Sequence, residues 1–254
     1  MARDAATPAR LPHTVMDLRS RRWKAEKIER LLEIDTGKTP IRILEVGTGS
    51  GGIAHYFGVH PSARYVVDAV DVIDNRLVDD GYSFTLVTDT SLPFADDCFD
   101  VVLSNHVIEH VGDEREQGRH LAEIRRVLRP GGVGYLAVPN RWMLVEPHFR
   151  LAFLSWLPRS WRTPYLRLAR KGDFYDCEPL EMGKLEALLR QSGFRSANRS
   201  VDALRVTFEI ERAGSVLTRW LRRIPDTLLR PFNRLIPTHI YTFTHARCEN
   251  DISV

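Results

Sequence analysis

Apolar positions recur along this chain in two rhythms. In "HTVMDLRSRRWKAEKIERLLEI" (13–34), Val15, Leu18, Trp23, Ile28, Leu31 and Leu32 fall at roughly helical spacing, which predicts an amphipathic helix. "GKTP" then breaks it. "IRILEVG" (41–47) is apolar, β-branched and ends in glycine, so it reads as a buried strand. "GIAHYFGVH" opens a helix directly after the glycines. Further strands are expected in "ARYVVDAVDVID" (63–74), "SFTLVTD" (83–89), "FDVVLSNHVIEHV" (99–111, strand first, then loop or helix start) and "VGYLAVPN" (133–140). Between the last two, "GRHLAEIRRVLRPGG" (118–132) carries Leu121, Ile124 and Leu128 on one helical face and stops at Pro-Gly-Gly.

Strands alternating with helices at this spacing imply a doubly wound, mostly parallel α/β sheet. Ligands of such sheets bind beyond the carboxyl ends of the strands. Gly47, Asp71, Asp89, Ser104–Asn105 and Pro139–Asn140 all fall at or near such ends.

After residue 140 the rhythm is lost. Residues 141–180 are rich in Trp, Pro, Arg and Phe without clear period. "EMGKLEALLRQSGF" (181–194) reads as a helix stopped by Gly193. A sixth strand is expected within "SANRSVDALRVTFEI". "SVLTRWLRRIPDTLLRPFNRLI" (215–236) is helical in pattern but punctured by Pro225 and Pro231, and "HIYTFTHARCE" (239–249) closes the chain as a strand.

Composition changes this picture little. The 254 residues are 43% hydrophobic and 27% charged, ordinary for a soluble chain with a sizeable core. One domain over 1–254 is expected, with 40–140 as its cofactor-binding core and 141–180 and 205–238 as insertions. Cys98, Cys177 and Cys248 are scattered, so neither a disulfide framework nor a zinc site is indicated, and a reducing, cytoplasmic setting fits. The first residues lack the apolar core of a secretory signal. Charge is uneven. Residues 1–140 hold 17 basic against 21 acidic residues, and the remainder 19 against 12. The basic second part suits an anionic substrate or an anionic membrane face, against the plainer reading of a solvated surface.

The sharpest motif is "LEVGTGSGG" (44–52). Gly47, Gly49 and Gly52 spell G-x-G-x-x-G; Glu45, Gly47, Gly49 and Gly51 spell E-x-G-x-G-x-G. A strand that turns sharply into a helix beside a ligand needs positive φ and no Cβ in the way. Asp71, about twenty residues on, is placed for ribose hydroxyls. These residues support an adenosine-containing cofactor without choosing between nicotinamide and S-adenosylmethionine.

"TDTSLPFADDCFDVVLSNHVIEHV" followed by "LAEIRRVLRPGGVGYLAVPN" makes the choice. Together with the glycine stretch, these segments resemble the class I S-adenosylmethionine-dependent methyltransferases, in particular the ubiquinone and menaquinone methyltransferase-like group. The resemblance covers roughly residues 40–140. It implies a seven-stranded Rossmann-like sheet with the last strand antiparallel, plus a helical substrate cap. It implies that Glu45 orients the loop and helps hold the cofactor's amino group. Gly47, Gly49 and Gly51 would admit its methionine part. Asp71 would take the ribose hydroxyls, Asp89 with Thr90 the adenine amino group, and Asn105 would line the methionine side. "LPF" (92–94) would pack beneath the adenine.

The physics agrees with that cofactor. It carries a sulfonium, an ammonium and a carboxylate but no phosphate, and no Arg or Lys lies between Ile43 and His60. A nicotinamide oxidoreductase is the enzyme alternative, weakened by the lack of a Tyr-x-x-x-Lys pair. A non-catalytic methyltransferase-like scaffold is the other alternative, and the intact set of acidic and glycine residues argues against it.

Methyl transfer requires alignment, and sometimes a general base. Histidine suits that task near neutrality. His148, with Glu146 beside it, is the first candidate; His110 and His106 follow, with a packing role as their plainer reading. No metal site is expected, although His106 and His110 stand four apart. The acceptor is expected to be a small molecule, glycan or lipid-linked compound, methylated on oxygen. The Trp- and Arg-rich insertions suggest either a packed helical cap or peripheral contact with the inner face of a membrane. Nucleic acid is disfavoured by the mild overall charge.

Overall fold

The computed structural model describes residues 16–34, 40–61, 64–146 and 148–246. The expected break at 37–39, the helix start at 13–15, and Cys248 lie outside them. Helix α1 (Leu18–Leu32) begins where Asp17 caps it by accepting from the Arg19 amide. Strands β1 (Ile41–Val46), β2 (Tyr65–Asp71), β3 (Ser83–Leu86), β4 (Phe99–Asn105) and β5 (Leu128–Pro139) run parallel. Helix α2 (Gly52–Gly58) follows the glycine loop. Helix α3 (Glu114–Val127) connects β4 to β5 and is capped by Asp113.

The later chain adds a small hairpin, β6 (Val145–Glu146) with β7 (Leu151–Ala152), and helices α4 (Arg159–Leu168) and α5 (Met182–Gln191). Strand β8 (Phe194–Asn198), helices α6 (Ser200–Glu211) and α7 (Val216–Arg223), and strand β9 (Thr238–His245) complete the fold. The main sheet has seven strands in the order β3-β2-β1-β4-β5-β9-β8, and β9 is antiparallel to both neighbours. The doubly wound sheet with an antiparallel last strand is as the sequence predicts.

Strand burial explains the apolar runs. Ile43, Leu44, Val101, Val102, Leu103, Tyr135 and Leu136 are all essentially buried, because helices cover both faces of the sheet. One core gathers Leu44, Val102 and Leu136 with Leu121 and Ile124 of α3 and Leu185 and Leu189 of α5. The other gathers Ile43, Val101 and Tyr135 with Ala25 and Ile28 of α1, Ile53 and Phe57 of α2, and Ala203 of α6. A third, smaller cluster of Phe149, Leu154, Leu166, Tyr175 and Cys177 lies inside the 141–180 connection.

Two expectations are corrected. The helix before β5 ends at Val127, not at Pro-Gly-Gly, and the strand already starts at Leu128, whose partner in β4 is Phe99. The sixth strand is Phe194–Asn198; most of "SANRSVDALRVTFEI" is helix α6. Ala203 is buried, and Val206 packs against the core that holds Ala25 and Ile28 of α1, so burial against α1 overrides strand propensity. Residue 205, where the second insertion is expected to begin, falls within α6. Among the described residues, no helix is long and apolar enough to cross a membrane.

Candidate functional site

Residues of the glycine stretch converge where β1 ends. Gly47, Gly49 and Gly51 all have positive φ, between 55° and 79°. At Gly47 a Cβ would lie 2.3 Å from Val107 Cγ2, and at Gly51 it would lie 2.4 Å from the Val78 carbonyl oxygen, so each position is closed to any side chain. The turn is fastened by carboxylates. Buried Glu45 accepts from the Thr48 hydroxyl at 2.7 Å and the Ala54 amide at 3.0 Å. Asp71, the last residue of β2, accepts from the Gly49 amide at 2.8 Å and from the Val72 amide at 2.7 Å. Gly47 and Thr48 donate their amides to the Val70 carbonyl. Strands β1 and β2 are neighbours in the sheet, which is why residues more than twenty apart share one turn.

Burial pushes the Glu45 carboxyl up to about 8, against the pull of its two donors and of Arg21. Asp89 lies one strand further out, past β3. It is exposed and accepts from the Ser91 amide at 2.7 Å, which with the Ser91 hydroxyl lowers its pKa. Thr90 is half-buried beside it. Asn105 ends β4 next to β1 and is buried, with its Oδ1 lacking a hydrogen-bond partner. A buried acceptor without a partner is a feature of a ligand site. Glu45, the three glycines, Asp71 and Asn105 thus share the carboxyl ends of three adjacent strands, with Asp89 at the rim.

A second group stands beside the first. After β4 the chain turns through His106, which adopts φ 60°, and a short 3-10 turn, Ile108–His110. The His106 Nδ1 lies 3.2 Å from Glu109 Oε1, and Glu109 is fully buried with Oε2 unpaired. Burial, followed by the positive charge of Lys24, holds His106 well below the ordinary histidine range. His148, on the connection after β5, has Nδ1 2.7 Å from Glu146 Oε1, while Glu146 Oε2 accepts from the Phe149 amide at 2.7 Å. Burial lowers the His148 pKa, but Glu146, Glu109 and Asp176 together carry it above the ordinary value. The His110 and His148 rings stand edge to face, with centroids 5.3 Å apart. Both expected histidines therefore meet at one corner, although they are 38 positions apart in the chain.

Two components of this region were invisible in the sequence pattern. Buried Cys177 approaches both histidines, and nothing in "YDCEPL" marks it. Arg21, Lys24 and Lys27 lie on one face of α1. With Thr207 and Glu211 of α6 they line a cavity of about 250 Å³. Their i, i+3 spacing was legible as a charged helix face but not as a lining. The Arg21 Nε is buried without a hydrogen-bond partner, and Arg21 Cβ packs against the Gly52 Cα side of the glycine loop. Burial, then Arg21 and Lys27, draw the Lys24 pKa down to about 7.

Comparison with known proteins agrees with this architecture. Residues 44–136 match the family model described as a methyltransferase domain. An uncharacterized methyltransferase of Mycolicibacterium vanbaalenii is 36% identical over 117 residues, covering 42% of this chain and 43% of that protein. The chain spans about two fifths of the length of the mycobacterial relatives it matches. A protein of Aspergillus luteorubrus named "Probable methyltransferase ltbC" is 26% identical over 208 residues, 74% of this chain and 68% of that protein. In fold, the chain resembles the Haemonchus contortus phosphoethanolamine N-methyltransferase 2 solved with S-adenosyl-L-methionine: TM-score 0.51, 18% identity, 88% of this chain and 52% of that one. Residues 44–136 thus match a methyltransferase domain, and the seven-stranded sheet around the glycine turn held by Glu45 and Asp71 is the Rossmann-like fold of such enzymes.

Proposed function

We propose that the protein transfers a methyl group from S-adenosylmethionine to oxygen of a small-molecule, glycan or lipid-linked acceptor. The observation that carries this reading is the Gly47–Gly51 turn, closed to side chains and tied through the Gly49 amide to Asp71. The residues fit the cofactor: carboxylates at strand ends for its hydroxyls and ammonium, an orphaned Asn105 oxygen, and a tight glycine turn at positive φ between them. When bound, the cofactor supplies a methyl activated by a sulfonium.

In this reading Glu45 faces the cofactor's ammonium, Asp71 accepts from the ribose hydroxyls, Asp89 and Thr90 meet the adenine edge, and Asn105 lines the methionine side. Apposition and exclusion of water account for most of the acceleration. His148, oriented by Glu146, accepts the acceptor's proton, and the His110 ring stands against it.

The acceptor's character is read from two surfaces. The cavity with Arg21, Lys24 and Lys27 suits an anionic group. The late connections expose Trp161, Leu168, Trp220, Phe232 and Leu235 among arginines. A lipid-linked anionic acceptor, reached at an anionic membrane surface, agrees with both.

The test is calorimetric titration with S-adenosylhomocysteine and, in parallel, with NAD. Micromolar binding of the former alone supports the reading, and Asp71→Ala should weaken it at least tenfold. Binding of NAD alone, or an affinity indifferent to Asp71, overturns it. A methyl-acceptor screen then begins with anionic lipids and lipid-linked glycans.

A further inference from the structure

We propose that His110, His148 and Cys177 form a binding site for a divalent transition-metal ion of the zinc class. One ligand atom from each lies within 4.8 Å of the others. The Cys177 Sγ stands 3.7 Å from His110 Nδ1 and 3.8 Å from His148 Nδ1. Metal–sulfur bonds of about 2.3 Å and metal–nitrogen bonds of about 2.0–2.1 Å at a tetrahedral angle put sulfur and nitrogen about 3.6 Å apart. The two separations are nearly equal and close to that edge, so an ion is accommodated by small side-chain rotations.

Ligand chemistry selects the ion. A thiol with two imidazoles suits zinc and its neighbours and excludes magnesium and calcium, which take oxygen. Three protein ligands leave the fourth tetrahedral position open, and Glu146 Oε1, 2.7 Å from His148 Nδ1, places a carboxylate beside them. Asp176 Oδ1, 3.6 Å from the sulfur, adds negative charge around a buried cation.

The ligands are also held in place before any ion arrives. The Glu178 amide donates to the Glu109 carbonyl at 2.8 Å, which fixes the Cys177 segment against the turn carrying His110. The Phe149 amide on Glu146 Oε2 fixes the segment carrying His148. Preorganisation of this kind raises metal affinity.

The site joins three parts of the chain: the turn after β4, the hairpin connection, and the segment leading to α5. An occupied site therefore fastens the 141–180 connection to the cofactor half of the molecule. In the metal-loaded protein His148 is a ligand, and in the metal-free protein it is available as a base. The proposal needs no methyl transfer and is read without the cofactor.

The experiment uses tag-free full-length protein, stripped with chelator and kept reduced. Zinc is titrated calorimetrically and cobalt by absorption. One ion per chain is expected, with tetrahedral cobalt bands, a thiolate-to-cobalt charge-transfer band, and a raised melting temperature. Cys177→Ser should remove the charge-transfer band. His110→Ala, at a half-buried ring, should weaken binding at least tenfold and remains informative if the cysteine variant fails to fold. His55→Ala, at a distant histidine paired with Asp80, should change nothing. Failure of the native protein to bind zinc or cobalt, or equal binding by Cys177→Ser and His110→Ala, overturns the proposal. S-adenosylhomocysteine titration of the same stripped protein reports separately on the methyltransferase reading.

Discussion

The cofactor half and the 141–180 connection are held together by different bonds. In the first, sheet ladders between β1, β2, β4 and β5 satisfy the backbone, and side chains at strand ends are released for a ligand. In the second, side chains do the backbone's work. Arg162 donates from Nε to the Leu157 carbonyl, Arg167 to the Asp173 carbonyl, and the Trp156 indole to the Met143 carbonyl. Buried Asn140 donates to the carbonyls of Arg234 and Ile236 and accepts from the Trp142 amide, so one side chain joins both late connections. A region built from side chain–backbone bonds has no periodic apolar signature, and one substitution there removes what a ladder would share among many residues.

The largest effect should come from the cofactor half. Gly51→Ala places a Cβ against the Val78 carbonyl at positive φ. A loss of about 3 kcal/mol in urea unfolding is expected, together with loss of S-adenosylhomocysteine binding. A variant that unfolds and binds like the native protein would break the comparison.

Acidity discriminates next, through two groups of opposite sign. The Glu45 carboxyl is raised to about 8, so its contribution is full below the unfolded value near 4.5 and is lost as pH rises through 8. The His120 imidazole, buried on Ser104, is lowered to about 4, so its contribution is full above 6.5 and is lost as pH falls through 4. Melting temperature should therefore peak between about pH 5 and 7. Glu45→Gln should flatten the alkaline side by up to about 5 kcal/mol, and His120→Asn the acid side by up to about 3 kcal/mol, at full titration. Unchanged profiles would remove these two buried groups from the account.

Asn140→Ala tests the side-chain-built region. It leaves two carbonyls and one amide without partners, a cost of about 2 kcal/mol. Amide exchange should quicken at 141–143 and 234–237 and stay slow in β1. Uniform acceleration across the sheet would mean that the two regions are one cooperative unit. Smallest of all, Arg222→Ala breaks an exposed pair with Glu209 and should cost about 0.5 kcal/mol or less in the same unfolding assay.

This difference also explains what the sequence disclosed. Strands buried on both faces announce themselves as runs such as "IRILEV" and "FDVVLSN", and the glycines announce the turn because no other residue fits it. Helix α6 was misread because "RVTFEI" has strand composition but lies against α1. Cys177 and the Arg21–Lys24–Lys27 lining were hidden for another reason. Cys177 meets its histidines, and the basic face of α1 becomes a lining against α6, only through packing between segments far apart in the chain, and no local spacing encodes that.

Strand β9 carries one further consequence. It lies between β5 and β8, yet it is synthesised after both. The five parallel strands are complete once Pro139 has emerged, but the open edge of β5 then waits for residues 238–245. During synthesis that apolar edge is a template for pairing with another chain. Truncations ending before β9 should therefore aggregate rather than yield a smaller soluble protein.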